Sequence, residues 1–285
     1  MSTKTTVSLD GVEIFVVSQG KGIPVFVLGG PWFGQSYLRP FHDRLATHFH
    51  VIAYDPRGSG RSSALTETEI NLAGHLGDLD GLRRSLSVDK MNLVGHSIGA
   101  LVSLLYAADH PTEMGSLVLL HAGPPFDRQM QKDLHGAFGA GFTSAERTTM
   151  ERLASSSAFK AGDAKTHEEY FKTLYSPFFP DREILTQLDF GFTSTTAQYA
   201  LHAEERLLSQ ILAQDPVAKL AQIQCPTLVV HAENDLIPEA FSRFLSHSIQ
   251  RAEYLRLEGL GHFAFLEDPD RFILPNVEFL KRAAK

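Results

Sequence analysis

The sequence predicts an α/β fold, with a mostly parallel twisted sheet flanked by helices and a helical insertion interrupting it late in the chain. Three observations carry this expectation. Short apolar runs recur at Val12 to Val17, Pro24 to Leu28, His50 to Tyr54, Met91 to Val94, Leu117 to Leu120, Thr227 to Val230 and Glu253 to Leu257. Most are dense rather than alternating, as strands buried on both faces require. Helical patterns lie between several of them, at Ser36 to His48, Thr68 to Ser87, Ile98 to His110, Pro238 to Ser248 and Asp268 to Ala283. Such alternation is that of a parallel sheet covered by helices. The rhythm then breaks between Pro124 and Pro216, where helical patterns occur without a convincing strand.

The elements follow in order. The first runs have no helix between them, so they form an antiparallel edge. Within the interruption, Ser144 to Ser155, His167 to Leu174, Arg182 to Leu188 and Thr195 to Ala213 read as helices, while Gly136 to Gly141 and Ser176 to Pro180 read as joins. Gly136-Ala-Phe-Gly-Ala-Gly141 has the glycine spacing of a nucleotide loop but follows no strand, so no cofactor is expected there. The resulting organisation is a core over residues 1–123, a helical cap over 124–215 and the rest of the core over 216–285.

Bulk properties limit the function classes. A chain of 285 residues suffices for one large α/β domain with an insertion. Its formal net charge of −7 argues against nucleic acid as a partner, since phosphate binding needs a basic face. One cysteine, Cys225, allows no intrachain disulfide, which fits a reducing cytosol, and its place before Pro226 and an apolar run predicts a buried structural thiol. Neither a signal-like N-terminus nor a window near the roughly 20 apolar residues of a membrane helix occurs, so a cytoplasmic protein off the membrane is expected. There is no H-E-x-x-H or clustered Cys/His spacing, and no metal is expected. The expected partner is a small molecule, and oligomeric state is not readable.

The chemistry concentrates at Gly95-His96-Ser97-Ile98-Gly99, a G-x-S-x-G between an apolar strand and a helical pattern. A nucleophile on a sharp strand-to-helix turn is packed so closely that glycines must flank it. The N-terminus of the following helix then favours a developing anion. A serine hydroxyl needs a base. His96 is too near in sequence to fold back onto Ser97 and is expected to pack beside it, against the substrate. For this motif the partners follow in the order Ser, acid, His. Asp235, after the run from Thr227, and His262, in Gly259-Leu-Gly-His262, both fall at carboxyl ends of strands, where ligands of open sheets bind. His262 would take and return the serine proton while Asp235 holds its tautomer. Glu233 is the rival acid. Among the 13 histidines, His121 and His231 also lie near strand ends.

With these residues in place, the chain resembles the α/β-hydrolase family from its second strand to its C-terminal helix. Tyr54-Asp-Pro-Arg-Gly-Ser-Gly-Arg-Ser62 is similar to that family's D-x-R-G-x-G-x-S turn, in which Asp55 and Arg57 would be structural. Leu28-Gly-Gly-Pro-Trp-Phe-Gly34 resembles the H-G-G-P-G loop of proline iminopeptidases. The resemblance implies an oxyanion hole formed by the N–H groups of Gly30 and Ile98. It departs at Leu28, where the loop usually has histidine, at Trp32, where it has glycine, and at the elbow, where those enzymes tend to show G-G-S-W-G. Trp32, the only tryptophan, would meet the substrate or anchor the loop. Glu204 and Glu205 fall near the place of an amine-binding cap carboxylate; the alternative is a solvated helix face beside Arg206.

The function expected is therefore a serine-nucleophile hydrolase of a small ester, lactone or amide, acting through an acyl-enzyme, with proline-iminopeptidase-like activity as one version. A carbon–carbon bond hydrolase using the same triad, and a non-hydrolytic pocket protein such as a receptor or rearrangement catalyst, are the alternatives. An aspartate-nucleophile enzyme is disfavoured by Ser97.

Overall fold

The strands are β1 (Ser2–Leu9), β2 (Val12–Gln19), β3 (Pro24–Leu28), β4 (His50–Tyr54), β5 (Met91–His96), β6 (Met114–Leu120), β7 (Thr227–Ala232) and β8 (Ala252–Leu257) in a computed structural model that describes residues 2–124 and 126–283. They form one sheet in the order β1-β2-β4-β3-β5-β6-β7-β8. The pairs β1·β2 and β2·β4 are antiparallel and all others parallel. The order reverses between β3 and β5, which pair with Leu28 opposite Gly95. That reversal opens a crevice at the carboxyl ends of the two strands, where open sheets place their ligands.

The helices are α1 (Arg39–Leu45), α2 (Leu72–Ser85), α3 (Ile98–Asp109), α4 (Arg128–Ala140), α5 (Ser144–Ser155), α6 (Ser157–Lys160), α7 (Ala164–Tyr175), α8 (Ala197–Ala213), α9 (Pro216–Lys219), α10 (Glu239–Ser248), α11 (Ala264–Glu267) and α12 (Pro269–Ala283). Their starts are chemically marked. Asn71 caps α2 by accepting from Gly74 N, and Thr143 and Glu146 form a reciprocal capping box on α5. Helices α4 to α8 all fall between β6 and β7, with no strand among the described residues of that stretch. No helix among the described residues is long and apolar enough to cross a membrane. Cys225 is buried, and burial pushes its thiol up to about 11.

Two segments differ from the sequence reading. Residues 2–9 form a strand, although six of the eight are exposed, because Asp10 and Gly11 (φ 49° and 83°) turn the chain back along β2. Gly136 and Gly139 lie inside α4 rather than in a flexible join. The Asp127 carboxylate accepts from Gln129 N and Met130 N, starting a helix that carries both glycines.

The Asp55–Ser62 turn ties the region behind the crevice together. Asp55 accepts from Gln35 N and Arg61 N, at 2.8 Å each. The Arg57 guanidinium grips the Asp78 carboxylate of α2 with two bonds of 2.7 Å, and Asp78 is 1% exposed. Such a pair is most destabilising when half of it is removed, because a buried charge is left alone. Asp78→Ala should therefore lower unfolding stability by about 3–5 kcal/mol in urea titration, while the double variant Arg57→Met/Asp78→Leu should lose much less. Equal losses in both would contradict this account.

Candidate active site

Ser97 joins β5 to α3 with φ 58° and ψ −124°, a conformation rare for a residue with a side chain. Its surroundings leave no other solution. A Cβ on Gly95 would come within 2.4 Å of Ser103 Oγ, and one on Gly99 within 2.2 Å of the Gly29 carbonyl oxygen. The Ser97 amide donates to the Leu120 carbonyl at 2.9 Å, pinning the turn to the end of β6. The Ser97 hydroxyl makes no hydrogen bond among the described residues, so it is free to turn.

His262 follows β8 and meets Asp235, which follows β7. The His262 Nδ1–H donates to Asp235 Oδ2 at 2.9 Å, with the two side chains 1% and 0% exposed. The second Asp235 oxygen accepts from Ile237 N at 2.9 Å, which fixes the carboxylate. The rival Glu233 is held elsewhere, by Arg256 at 2.8 Å and Gly259 N at 2.7 Å. Glu267 supports the histidine loop by accepting from Gly261 N at 2.8 Å. His262 Nε2 is left as the basic nitrogen, and His262 and Ser97 line the same cavity.

His96 packs beside the elbow, in a chain of bonds the sequence did not announce. Gly30 N–H donates to the Tyr37 hydroxyl at 2.8 Å, which lies 3.1 Å from His96 Nδ1. His96 Nε2 lies 3.1 Å from the His262 carbonyl oxygen, which can only accept. His96 therefore carries its proton on Nε2, and Tyr37 donates to Nδ1. This chain ties together the loop after β3, the elbow and the histidine loop. It also gives the Gly30 amide an acceptor already, which modifies the expectation that it is a free oxyanion donor. The Ile98 N–H belongs to the first turn of α3, where amides lack intrahelical acceptors. Burial first, and His262 nearby second, hold His96 and His121 well below the usual histidine range. Both are neutral. His121 is buried with neither ring nitrogen bonded, 3.7 Å from Asp235 Oδ2. His231 contacts Ser242 Oγ at 3.3 Å, away from the cavity lining.

The cavity over Ser97 has a volume of only about 10 Å³, far below the roughly 300–1,000 Å³ of small-molecule pockets, so its walls must part to admit a substrate. Trp32, Phe33, Tyr175, Phe190 and Phe263 make its walls, so it is mainly aromatic. Trp32 thus lies in the cavity rather than at an open mouth, and it is 1% exposed. Glu204 and Glu205 part company. Glu205 is exposed on α8, in keeping with a solvated face, whereas burial pushes the Glu204 carboxyl up to about 7, and its charge acts on Tyr170 and Tyr175. Among the described residues, no group of three or more His, Cys, Asp or Glu is placed to hold a metal ion.

Comparison with known proteins agrees with the fold. A family profile described as alpha/beta hydrolase fold matches residues 28–269. The pimeloyl-[acyl-carrier protein] methyl ester esterase of Nitrosospira multiformis is 26% identical over 281 residues, covering 95% of this chain and 99% of that protein. The solved structure of Est816, an N-acyl homoserine lactone degrading enzyme, superposes with a TM-score of 0.70 at 26% identity, covering 98% of this chain and 99% of that one. The proline iminopeptidase of Mycobacterium smegmatis matches with a TM-score of 0.70 at 17% identity, covering 99% of each chain, which is a likeness of fold.

Two measurements probe the site's construction. Tyr37→Phe strips the Gly30 amide of its acceptor and His96 Nδ1 of its donor, and should lower unfolding stability by about 1–3 kcal/mol; no change would mean that water replaces the hydroxyl. Glu204 titrates near 7 in the folded chain but in the ordinary carboxylate range when unfolded. Its burial therefore destabilises the fold increasingly as pH rises from about 4.5 to about 7, and fully above that. Glu204→Gln should raise the melting temperature at pH 8, with the gain vanishing towards pH 4; a gain independent of pH would contradict the assignment.

Proposed function

The chain belongs to the α/β-hydrolase fold family, and from that premise we propose that it is a serine-nucleophile hydrolase cleaving a small ester, lactone or amide through an acyl-enzyme. The observation that carries this reading is the buried His262–Asp235 bond of 2.9 Å, in a cavity shared with Ser97 at a strained elbow.

The roles follow from the geometry. Ser97 Oγ attacks the substrate carbonyl as His262 Nε2 takes its proton. Asp235 keeps the His262 proton on Nδ1 and stabilises the imidazolium. The developing oxyanion lies against the Ile98 N–H at the positive end of α3, and the Gly30 N–H assists by sharing itself between Tyr37 and the oxyanion. The protonated His262 then delivers its proton to the leaving oxygen or nitrogen, leaving an ester on Ser97. Water, deprotonated by His262, attacks that ester, and Ser97 leaves with the proton restored.

Ester or lactone cleavage is supported by the activities named for the esterase and the lactone-degrading relative, and by the aromatic residues around Ser97, whose chemistry favours an apolar acyl group once they part. The aminopeptidase version draws on Glu204 alone, whose buried carboxyl would ionise opposite a substrate ammonium.

Ser97→Ala should lower kcat/KM on any substrate by about 10⁴-fold or more, with the unfolding midpoint retained. A small fluorophosphonate should add once to the wild-type chain, by intact mass, and not to the variant. An undiminished rate in the variant would sink the mechanism.

A further inference from the structure

The cavity holds a polar group with nothing to do. Trp32 Nε1 is buried and has no hydrogen-bond partner, and its ring is wedged edge-on against Phe33, with centroids 5.8 Å apart. Buried N–H groups are almost always paired, so an orphan on a residue that lines the cavity calls for a partner. Tyr175, at the end of α7, lines the same cavity. Burial holds the Tyr175 hydroxyl well above the usual tyrosine range, and the nearby Trp32 indole N–H opposes this weakly as a donor to its oxygen, although the pair falls short of hydrogen-bond geometry. Around them the walls are hydrocarbon: Tyr175 packs against Phe33 and Phe190 at 5.6 Å and Phe263 at 6.3 Å.

We propose that the Trp32 indole N–H and the Tyr175 hydroxyl form a two-donor subsite for a second oxygen of the substrate, distinct from the carbonyl under attack. This rests on the hydrolase reading above and narrows its substrate class. The attacked carbonyl belongs at the Ile98 N–H, at the start of α3, whereas Trp32 follows β3 and Tyr175 ends α7. The bound oxygen is thus a different atom of the same molecule. Two donors and apolar walls select a neutral acceptor, either a carbonyl or an ether oxygen, carried on an otherwise apolar acyl group. Esters, lactones or amides bearing such an oxygen are the preferred substrates, and plain alkanoyl esters are poor ones. A site built to hydrogen-bond an oxygen rejects the analogue lacking it, because its own donors are then left unpaired.

The test uses phenyl methoxyacetate and phenyl butyrate, which differ by one ether oxygen in place of a methylene. The ratio of their kcat/KM values should fall about tenfold in Trp32→Phe and in Tyr175→Phe relative to wild type. Tyr175→Phe removes only the hydroxyl, whereas Trp32→Phe keeps an aromatic ring but removes the N–H together with the rest of the indole's five-membered ring. A ratio unchanged in either variant overturns the pair. Since Trp32 is the only tryptophan, its emission reports on the subsite directly. In Ser97→Ala, which cannot turn the esters over, the methoxyacetate should shift the emission and bind about tenfold more tightly than the butyrate. Tyr175→Phe on that background should remove the difference; equal affinities before it is added overturn the proposal. This arm needs no catalysis, and it decides the subsite even if Trp32→Phe does not fold. Failure of the serine mechanism is seen separately, as absence of the fluorophosphonate adduct.

Discussion

Ser97 occupies a backbone conformation that its own side chain disfavours, and much of the site's architecture follows from keeping it there. The turn is tolerable because glycines on either side let the β3 loop and α3 approach to contact distance. That approach sets the spacing between the loop carrying Gly30 and the helix carrying Ile98. Because β3, β5, β6, β7 and β8 run parallel, their carboxyl ends share one edge. Residues just past them (Gly30, Ser97, His121, Asp235 and, a few positions on, His262) therefore converge without any long-range folding of loops.

The electrostatics of that edge are unusual in having several imidazoles around one carboxylate. His96 and His121 flank His262, with ring centroids 4.9 and 5.8 Å from it. Burial keeps both uncharged. A charged neighbour would compete for Asp235 and repel the imidazolium formed during turnover. Neutral rings do neither, so on the proposed mechanism the Asp235 charge is spent on His262. The tautomer of His96 is set by the His262 carbonyl, which makes the Tyr37 proton point at His96 and leaves the phenol oxygen open to the Gly30 amide.

The parts legible in the sequence were those with a local signature. Dense apolar runs marked the strands from β2 onward, and the glycine-flanked serine marked the elbow. Asp235 and His262 were found by position after strands, and the structure pairs them. The first strand was missed because most of its residues face solvent; its one signal was Asp10-Gly11, a hairpin turn. The helix α4 was missed because two glycines outweighed the cap at Asp127. The Gly30–Tyr37–His96–His262 chain has no sequence signature, since one of its bonds spans 166 positions. The burial of Glu204 against its exposed neighbour Glu205 depends on how α8 packs in the fold, which periodicity does not report.

The helix behind the nucleophile is apolar on every side. From Ile98 to Ala108 each residue of α3 is buried, beneath α2, α8 and α9 and against β3, β5 and β6. A helix so enclosed has no solvent face from which to fray. Its amides open to solvent only when the domain itself comes apart, whereas the exposed surfaces of α4 and α5 can open at far lower free energy. The molecule is thus stiff beneath the reacting atom: looser elements elsewhere can move while the serine, and the dipole aimed at it, stay where they are.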